Sequence, residues 1–403
     1  MEKRNVPKLR FKGFEDEWEY VKLSYLCDEI KRTTDDAIED ILTISAGNGF
    51  LNQEKRFSKV IAGTSLNKYT LLYNGEFSYN RGNSKSFKYG CIYKLKEYKK
   101  ALVPNVYISF RINNQNNEFY QQLFLKKYLD RQLRQLISSS ARMDGLLNIN
   151  KKSFFQLIVP MTSLEEQTKI ANFLSNVDNI IEEQEGKVKD LELYKKGMMQ
   201  KIFKQEIRFK NENGQDYPEW EGKKLKYILI EVNEKVIESD KYEVLSSTTN
   251  GLFKQSEYFN RKIASDDISG YRVLRLNQIV LSPQNLWLGN INFNNKFEVG
   301  IVSPSYKIFD ICNNVNKSFI SHIIKTNRML YEYVQSSEQG ASVVRRNLSM
   351  DLFYNIVVKL PCLAEQTKIA NFLSNIDNII EEENKKLEDL RQWKKGLLQQ
   401  MFV

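Results

Sequence analysis

The loop Tyr79-Asn80-Arg81-Gly82-Asn83-Ser84-Lys85-Ser86 gathers a guanidinium, amides, hydroxyls and an ammonium around one glycine. These are groups that bind rather than groups that catalyse. Arginine pairs in bidentate fashion with guanine, asparagine or glutamine with adenine, and lysine or serine with phosphate. Asn80, Arg81, Asn83, Ser84 and Lys85 are therefore candidate nucleic-acid contacts, with a generic basic surface loop as the alternative. About 200 positions later, Leu281-Ser282-Pro283-Gln284-Asn285-Leu286-Trp287 keeps the amides and loses the charge, which nominates Ser282, Gln284 and Asn285. Two binding loops at equivalent places with different chemistry would read different sequences. A second loop pair spans residues 138–145 and 336–346. It contributes Ser139 and Arg142 from the first copy, and Ser336, Gln339, Arg345 and Arg346 from the second. Serine and arginine beside glycine suit a phosphate or a base edge, and they suit a solvated turn equally well.

Catalytic constellations are missing. The seven prolines stand singly, so the Asn/Asp-Pro-Pro-aromatic motif with which amino-methyltransferases hold a target amine is not there. Gly47-Asn48-Gly49 lacks the third glycine of a dinucleotide loop, and there is no G-x-x-x-x-G-K-S/T phosphate loop. No Pro-Asp dipeptide opens a common restriction-nuclease metal motif. His322 is the one histidine, which argues against a zinc site and a His-based triad. Cys27, Cys91, Cys312 and Cys362 are scattered without a C-x-x-C and read as reduced packing thiols. A net charge of +10 favours a polyanionic partner, for which a nucleic acid, an acidic protein surface and an anionic membrane all qualify. No apolar run reaches the roughly 18 residues of a membrane span, and the polar start MEKRNVPKLR is no signal peptide. A soluble, cytoplasmic protein is expected.

What positions the loops is a duplication. Residues 164–183 read LEEQTKIANFLSNVDNIIEE, and residues 363–382 read LAEQTKIANFLSNIDNIIEE, 199 positions apart. Lys195-Lys196-Gly197 matches Lys394-Lys395-Gly396, and Phe203 matches Phe402. Leu9-Arg10-Phe11-Lys12 returns as Ile207-Arg208-Phe209-Lys210, and Glu17-Trp18-Glu19 as Glu219-Trp220-Glu221. The first long helix runs into the second of these tetrapeptides, whereas the partner of the second helix lies at the opposite terminus. The repeat is complete only when the chain is read as a circle, which places the two ends side by side.

Each duplicated peptide opens a long helix. Ser163-Leu164-Glu165-Glu166 has the form of a capping box. Apolar residues follow at 3,4 spacing: Ile170, Leu174, Val177, Ile181, Val188, Leu191, Met198 and Ile202, then Ile369, Leu373, Ile376, Ile380, Leu387, Leu390, Leu397 and Met401. Both read as coiled-coil seams, and their polar interruptions coincide at Gln184/Glu383 and Lys195/Lys394, as expected of residues that fix register. At roughly 1.5 Å per residue, about 40 residues make a rod of about 60 Å, long enough to hold two domains apart. Between the helices, short apolar runs such as Ile41 to Ile44, Tyr107 to Phe110 and Ile279 to Leu281 predict strands. One amphipathic helix is expected near Phe119 to Ile137 and one near Phe319 to Val334.

This arrangement resembles the DNA-specificity subunit of Type I restriction-modification systems. Glu166-Gln167-Thr168-Lys169-Ile170 and Glu365-Gln366-Thr367-Lys368-Ile369 carry the resemblance, each opening a long helix after an apolar strand and a recognition-like segment. It covers essentially the whole chain. The implied fold is α+β, with two pseudo-repeated target-recognition domains separated by two long antiparallel coiled-coil helices in a circular pseudo-twofold arrangement. The expected segments are 1–19 completing the circular repeat, 20–157 the first recognition domain, 158–205 the central helical spacer, 206–221 a linker, 222–355 the second recognition domain, and 356–403 the C-terminal spacer. Gln167, Ile170, Leu174, Val177, Ile181, Gln366, Ile369, Leu373, Ile376 and Ile380 belong to the spacer helices. The resemblance further implies a non-catalytic chain that binds a bipartite double-stranded DNA site. It would direct two modification (methyltransferase) subunits and restriction/translocase subunits to that site, with S-adenosylmethionine, magnesium and ATP bound by those partners. One departure is that Pro361-Cys362 stands where the first copy has Ser163, so the capping box is not repeated. The competing readings are a duplicated coiled-coil scaffold without sequence-specific DNA binding, and the recognition subunit of another phage-defence system.

Overall fold

The computed structural model describes residues 5–34, 38, 40–54, 63–82, 84–137, 147–236, 242–258, 268, 270–339 and 346–403. The chain forms two compact units, Met1–Glu185 with Lys385–Val403, and Gly186–Asn384. The helices Leu164–Phe203 and Leu363–Gln400 each run from one unit into the other, so each unit owns the first half of one helix and the last half of the other.

In the first unit, four antiparallel strands lie in the order Cys27–Glu29, Ile108–Ile112, Phe77–Asn80, Cys91–Lys94. Alternation puts Phe77, Tyr79, Ile108 and Phe110 on one buried face, where Phe77 stacks on Phe110 at 5.4 Å and Tyr79 on Phe154 at 4.9 Å. That face packs on the helix Asn117–Leu125 and on Ile170, Ala171, Leu174 and Val177 of the first long helix. A smaller cluster unites the hairpin Leu42–Ser45/Gly49–Asn52 with the ladder Thr70–Tyr73/Lys100–Val103. The second unit repeats the plan. Its sheet order is Leu229–Val232, Lys307–Ile311, Ile279–Leu281, Ile291–Phe293, beside the hairpin Leu245–Thr248/Gly251–Lys254 and the ladder Arg272–Arg275/Val299–Val302. The fold is α+β, twice over.

The duplicated peptide is a latch. Glu166 is buried, and Arg10 donates to both its oxygens at 2.7 and 2.9 Å while the Trp18 indole donates at 3.0 Å. Arg208 and Trp220 treat Glu365 in the same way, at 2.9 and 3.1 Å for its Oε2. Gln167 accepts from the Asn116 amide N–H and donates to the Thr162 carbonyl; Gln366 accepts from Asn316 N–H and donates to Pro361 O. Asn116 and Asn316 are themselves N-caps of the helices Asn117–Leu125 and Lys317–Ile323, and their amides reach Thr168 and Thr367. Glu-Gln-Thr thus ties the Arg-Trp segment, the long helix and the α+β fold together in each unit. Gln167 and Gln366, assigned above to the spacer, serve this junction rather than the helix-helix seam.

The long helices pack antiparallel within each unit. In the first, Lys394 pairs with Asp178 and Arg391 with Glu185; in the second, Lys195 pairs with Asp377 and Lys187 with Glu383. The lysines that interrupt both seams are therefore ion-pair partners, consistent with register control. The circular reading also holds inside the first unit, where Leu9 N–H donates to Gln400 O at 2.9 Å, and Ile207 N–H meets Lys201 O at 3.3 Å in the repeat.

Several expected helix bounds change. The stretch from Phe119 to Ile137 is two helices, Asn117–Leu125 and Asp130–Leu136, because Lys127 takes a left-handed conformation at φ 61°. Its counterpart splits into Lys317–Ile323 and Asn327–Gln335, where Thr326 caps a new start. Ser163 does cap Glu166 N–H at 3.2 Å, but the Glu166 side chain turns to Arg10 and Trp18 instead of closing a capping box. The second long helix starts at Leu363, the equivalent position, without a serine cap.

Candidate nucleic-acid interface

The loop after strand Phe77–Asn80 is closed from below. The buried Tyr79 hydroxyl, its pKa raised by burial, donates to Tyr89 O at 2.6 Å. Gly90 sits at φ 82°, and a Cβ there would lie 2.5 Å from the Asn80 carbonyl. Asn80 donates to Ile44 O at 3.1 Å and accepts from Gly82 N–H at 2.9 Å, so it shapes the loop. Arg81 donates to Val106 O at 2.9 Å and to Ile149 O at 3.5 Å. Ser84 makes a tight turn with Phe87, and Lys127 both donates to Ser86 O at 2.7 Å and lies over the Phe87 ring. Lys85 is exposed at the tip. Asn83, Ser139 and Arg142 lie outside the described residues.

In the second unit the equivalent turn is closed by hydrogen bonds among Ser282, Asn285 and Asn290. Buried Ser282 donates its N–H to Asn290 O, and its Oγ accepts from Asn285 at 3.4 Å; Gln284 is exposed. Ser336 caps its helix by donating to Glu332 O at 2.8 Å. Gln339 pairs with Arg346 across the short ladder Ser337–Gln339/Arg346–Leu348. Arg345 lies outside the described residues.

The structure brings the two loops of the second unit together, and in the first unit it joins Arg81 to Leu147, the first described residue after the 138–145 segment. Leu147 N–H donates to Arg81 O at 2.9 Å, and Arg346 N–H to Gln284 O at 3.3 Å. The Arg346 guanidinium also lies 4.5 Å over the Trp287 ring. Trp287 was not among the candidates, although a tryptophan inside a polar loop was the available signal. The exposed side chains of Lys85 and Gln284 and the half-buried guanidinium of Arg346 are available to an anion or a base edge, whereas Asn80, Arg81, Ser282 and Ser336 hold the loops in shape. Among the described residues, no group of three His, Cys, Asp or Glu could hold a metal ion, and no helix is long and apolar enough to cross a membrane.

Comparison with known proteins gives a consistent result. Residues 219–392 match the family described as Type I restriction modification DNA specificity domain. The chain is 26% identical over 330 residues to the Type I restriction enzyme MjaVIII specificity subunit of Methanocaldococcus jannaschii, spanning 74% of this chain and 73% of that protein. It is 24% identical over 306 residues to the putative type I restriction enzyme MjaX specificity subunit of the same organism, spanning 71% and 67%. Among solved structures, the S subunit of a Type I restriction-modification system from M. genitalium matches with a TM-score of 0.57 at 15% identity, over 99% of each chain. A chain from a study of complex assembly in the type I R-M system matches with a TM-score of 0.54 at 13% identity, over 96% and 97%. Likeness at such identities speaks for the fold.

Proposed function

Starting from a chain that belongs to the type I restriction-modification specificity family, we propose that it binds a bipartite double-stranded DNA sequence, one half-site per unit. It would hand that site to modification and restriction subunits. The observation that carries this reading is the contrast between frame and loops. The latch, the sheet order and one Lys–Asp pair between the long helices recur at equivalent positions, while the loops they support differ: Arg81, Ser84 and Lys85 in one unit, Gln284, Trp287 and Arg346 in the other. A frame kept constant around two dissimilar polar surfaces suits two different base sequences read by one architecture.

The net charge of +10 supports attraction to the duplex, and counterion release makes that attraction salt-dependent. In this reading the chain supplies no chemistry of its own. Methyl transfer, with S-adenosylmethionine, and ATP- and magnesium-dependent steps belong to the partners. Mapping methylated positions in DNA modified by the assembled complex tests the proposal. Two short specified blocks separated by an unspecified gap are expected, and a single contiguous block would count against it.

A further inference from the structure

We propose that Trp287 is a positioning residue that holds the Arg346 guanidinium flat to read a guanine in the half-site of the second unit. The assignment rests on the DNA-reading role proposed above. Three contacts fix Arg346 from different sides. Its N–H donates to Gln284 O at 3.3 Å, its backbone pairs with Gln339, and its guanidinium carbon lies 4.5 Å from the Trp287 ring centroid. None of its guanidinium N–H groups has a hydrogen-bond or ion-pair partner among the described residues. Other arginines are already engaged: Arg275 pairs with Glu234 at 2.6 Å, Arg208 with Glu365 at 2.9 Å, and Arg81 with two backbone carbonyls.

Stacking on an aromatic face fixes the plane of a guanidinium while leaving its forked N–H edge available. That edge matches the O6 and N7 acceptors of guanine, the commonest specific contact in the major groove. Pre-orientation lowers the entropy lost when both bonds form. Hydrogen bonding does not explain the placement of the indole, because its buried N–H has no acceptor among the described residues. The stack on Arg346 does. Gln284, exposed beside it, adds an amide at the same edge of the loop pair.

The test uses the full chain assembled with its modification subunits and a pool of randomised duplexes, followed by affinities for the selected site and for an unrelated duplex. The wild-type complex should require a guanine at one position of one half-site. Arg346→Ala should weaken the selected site by about 5- to 150-fold and relax that position alone. Binding to the unrelated duplex should stay within about two-fold. Trp287→Ala should relax the same position, and Trp287→Phe, which keeps an aromatic face, should restore it. Equal weakening of both duplexes by Arg346→Ala would mean a phosphate contact and overturn the proposal. So would relaxation at an A·T pair, or a Trp287→Ala complex that loses thermal stability without losing the guanine preference. A wild-type complex with no sequence preference would overturn the proposed function as well, and so is distinguishable from failure of this assignment.

Discussion

Removing a partner from a buried ion pair costs more than the pair contributes, because the charge left behind cannot recover its hydration. Glu166→Ala would strand the Arg10 guanidinium and the Trp18 indole, and should destabilise the first unit by about 3–5 kcal/mol in urea unfolding. Glu365→Ala should cost less. Arg208 keeps Glu219 at 3.2 Å and the Tyr217 and Pro218 carbonyls, whereas Arg10 keeps the Asp16 carbonyl. Burial pushes the Glu166 carboxyl up, but bonds from Arg10, Thr162 and Trp18 outweigh it and hold the pKa below the usual range. That stability is present above the ordinary carboxylate pKa and is lost as pH falls from there through the lowered folded-state pKa. His322 has the opposite chemistry. Burial, with Lys195 nearby, lowers its pKa to about 4 against the pull of Asp377. Folding therefore favours the neutral ring, and stability should decline as pH falls from about 6.5 towards about 4. Gln122 holds the equivalent place in the first unit and donates to Asp178 at 2.7 Å. His322→Gln should consequently flatten the stability–pH curve over that window, and an unchanged slope would contradict the assignment. Neither role was legible in sequence. Glu166 read as part of a cap, and His322 as a single histidine without the partners of a zinc site or a triad.

At the scale of elements, periodicity located both long helices and their shared interruptions because an apolar seam imposes a 3,4 pattern on any sequence that forms it. What the interruptions do required the structure. Lys195 with Asp377 and Lys394 with Asp178 are half-exposed pairs, so each should contribute about 1 kcal/mol or less. A double-mutant cycle on Lys195→Ala and Asp377→Ala, read by thermal unfolding, should give a positive coupling of that order. Zero coupling would reduce the pair to surface decoration. The recognition helices were found but not their breaks, since Leu123, Leu129 and Leu133 sustain one apolar pattern across a turn that only the left-handed Lys127 reveals. The convergence of loops 81–86 and 147 onwards was equally hidden. It is made by hydrogen bonds to backbone carbonyls between segments some 65 residues apart, to which side-chain pattern is blind.

For the whole molecule, the circular repeat was legible because Leu9-Arg10-Phe11-Lys12 and its echo flank the helices in opposite ways. The division of the chain midway along each long helix was not, because both helices run unbroken through Glu185 and Asn384. With Leu9 bonded to Gln400, joining Val403 to Met1 through a short linker and opening the chain at Asn211–Asn213 should leave a folded subunit. Residues 211–214 form an exposed turn well suited to new termini. Circular dichroism and unfolding of the permuted chain should match the parent, and a loss of cooperativity would contradict the circular reading. If each unit reads its own half-site, as proposed, exchanging the segment of one unit should alter one half of the target and spare the other. Residues 20–157 are replaced by the corresponding segment of a relative with a different target, the chimera is assembled with its modification subunits, and methylated positions are mapped across a genome. One half of the methylated sequence should change to that of the donor while the other half stays as it was. Simultaneous change or loss of both halves would contradict the claim.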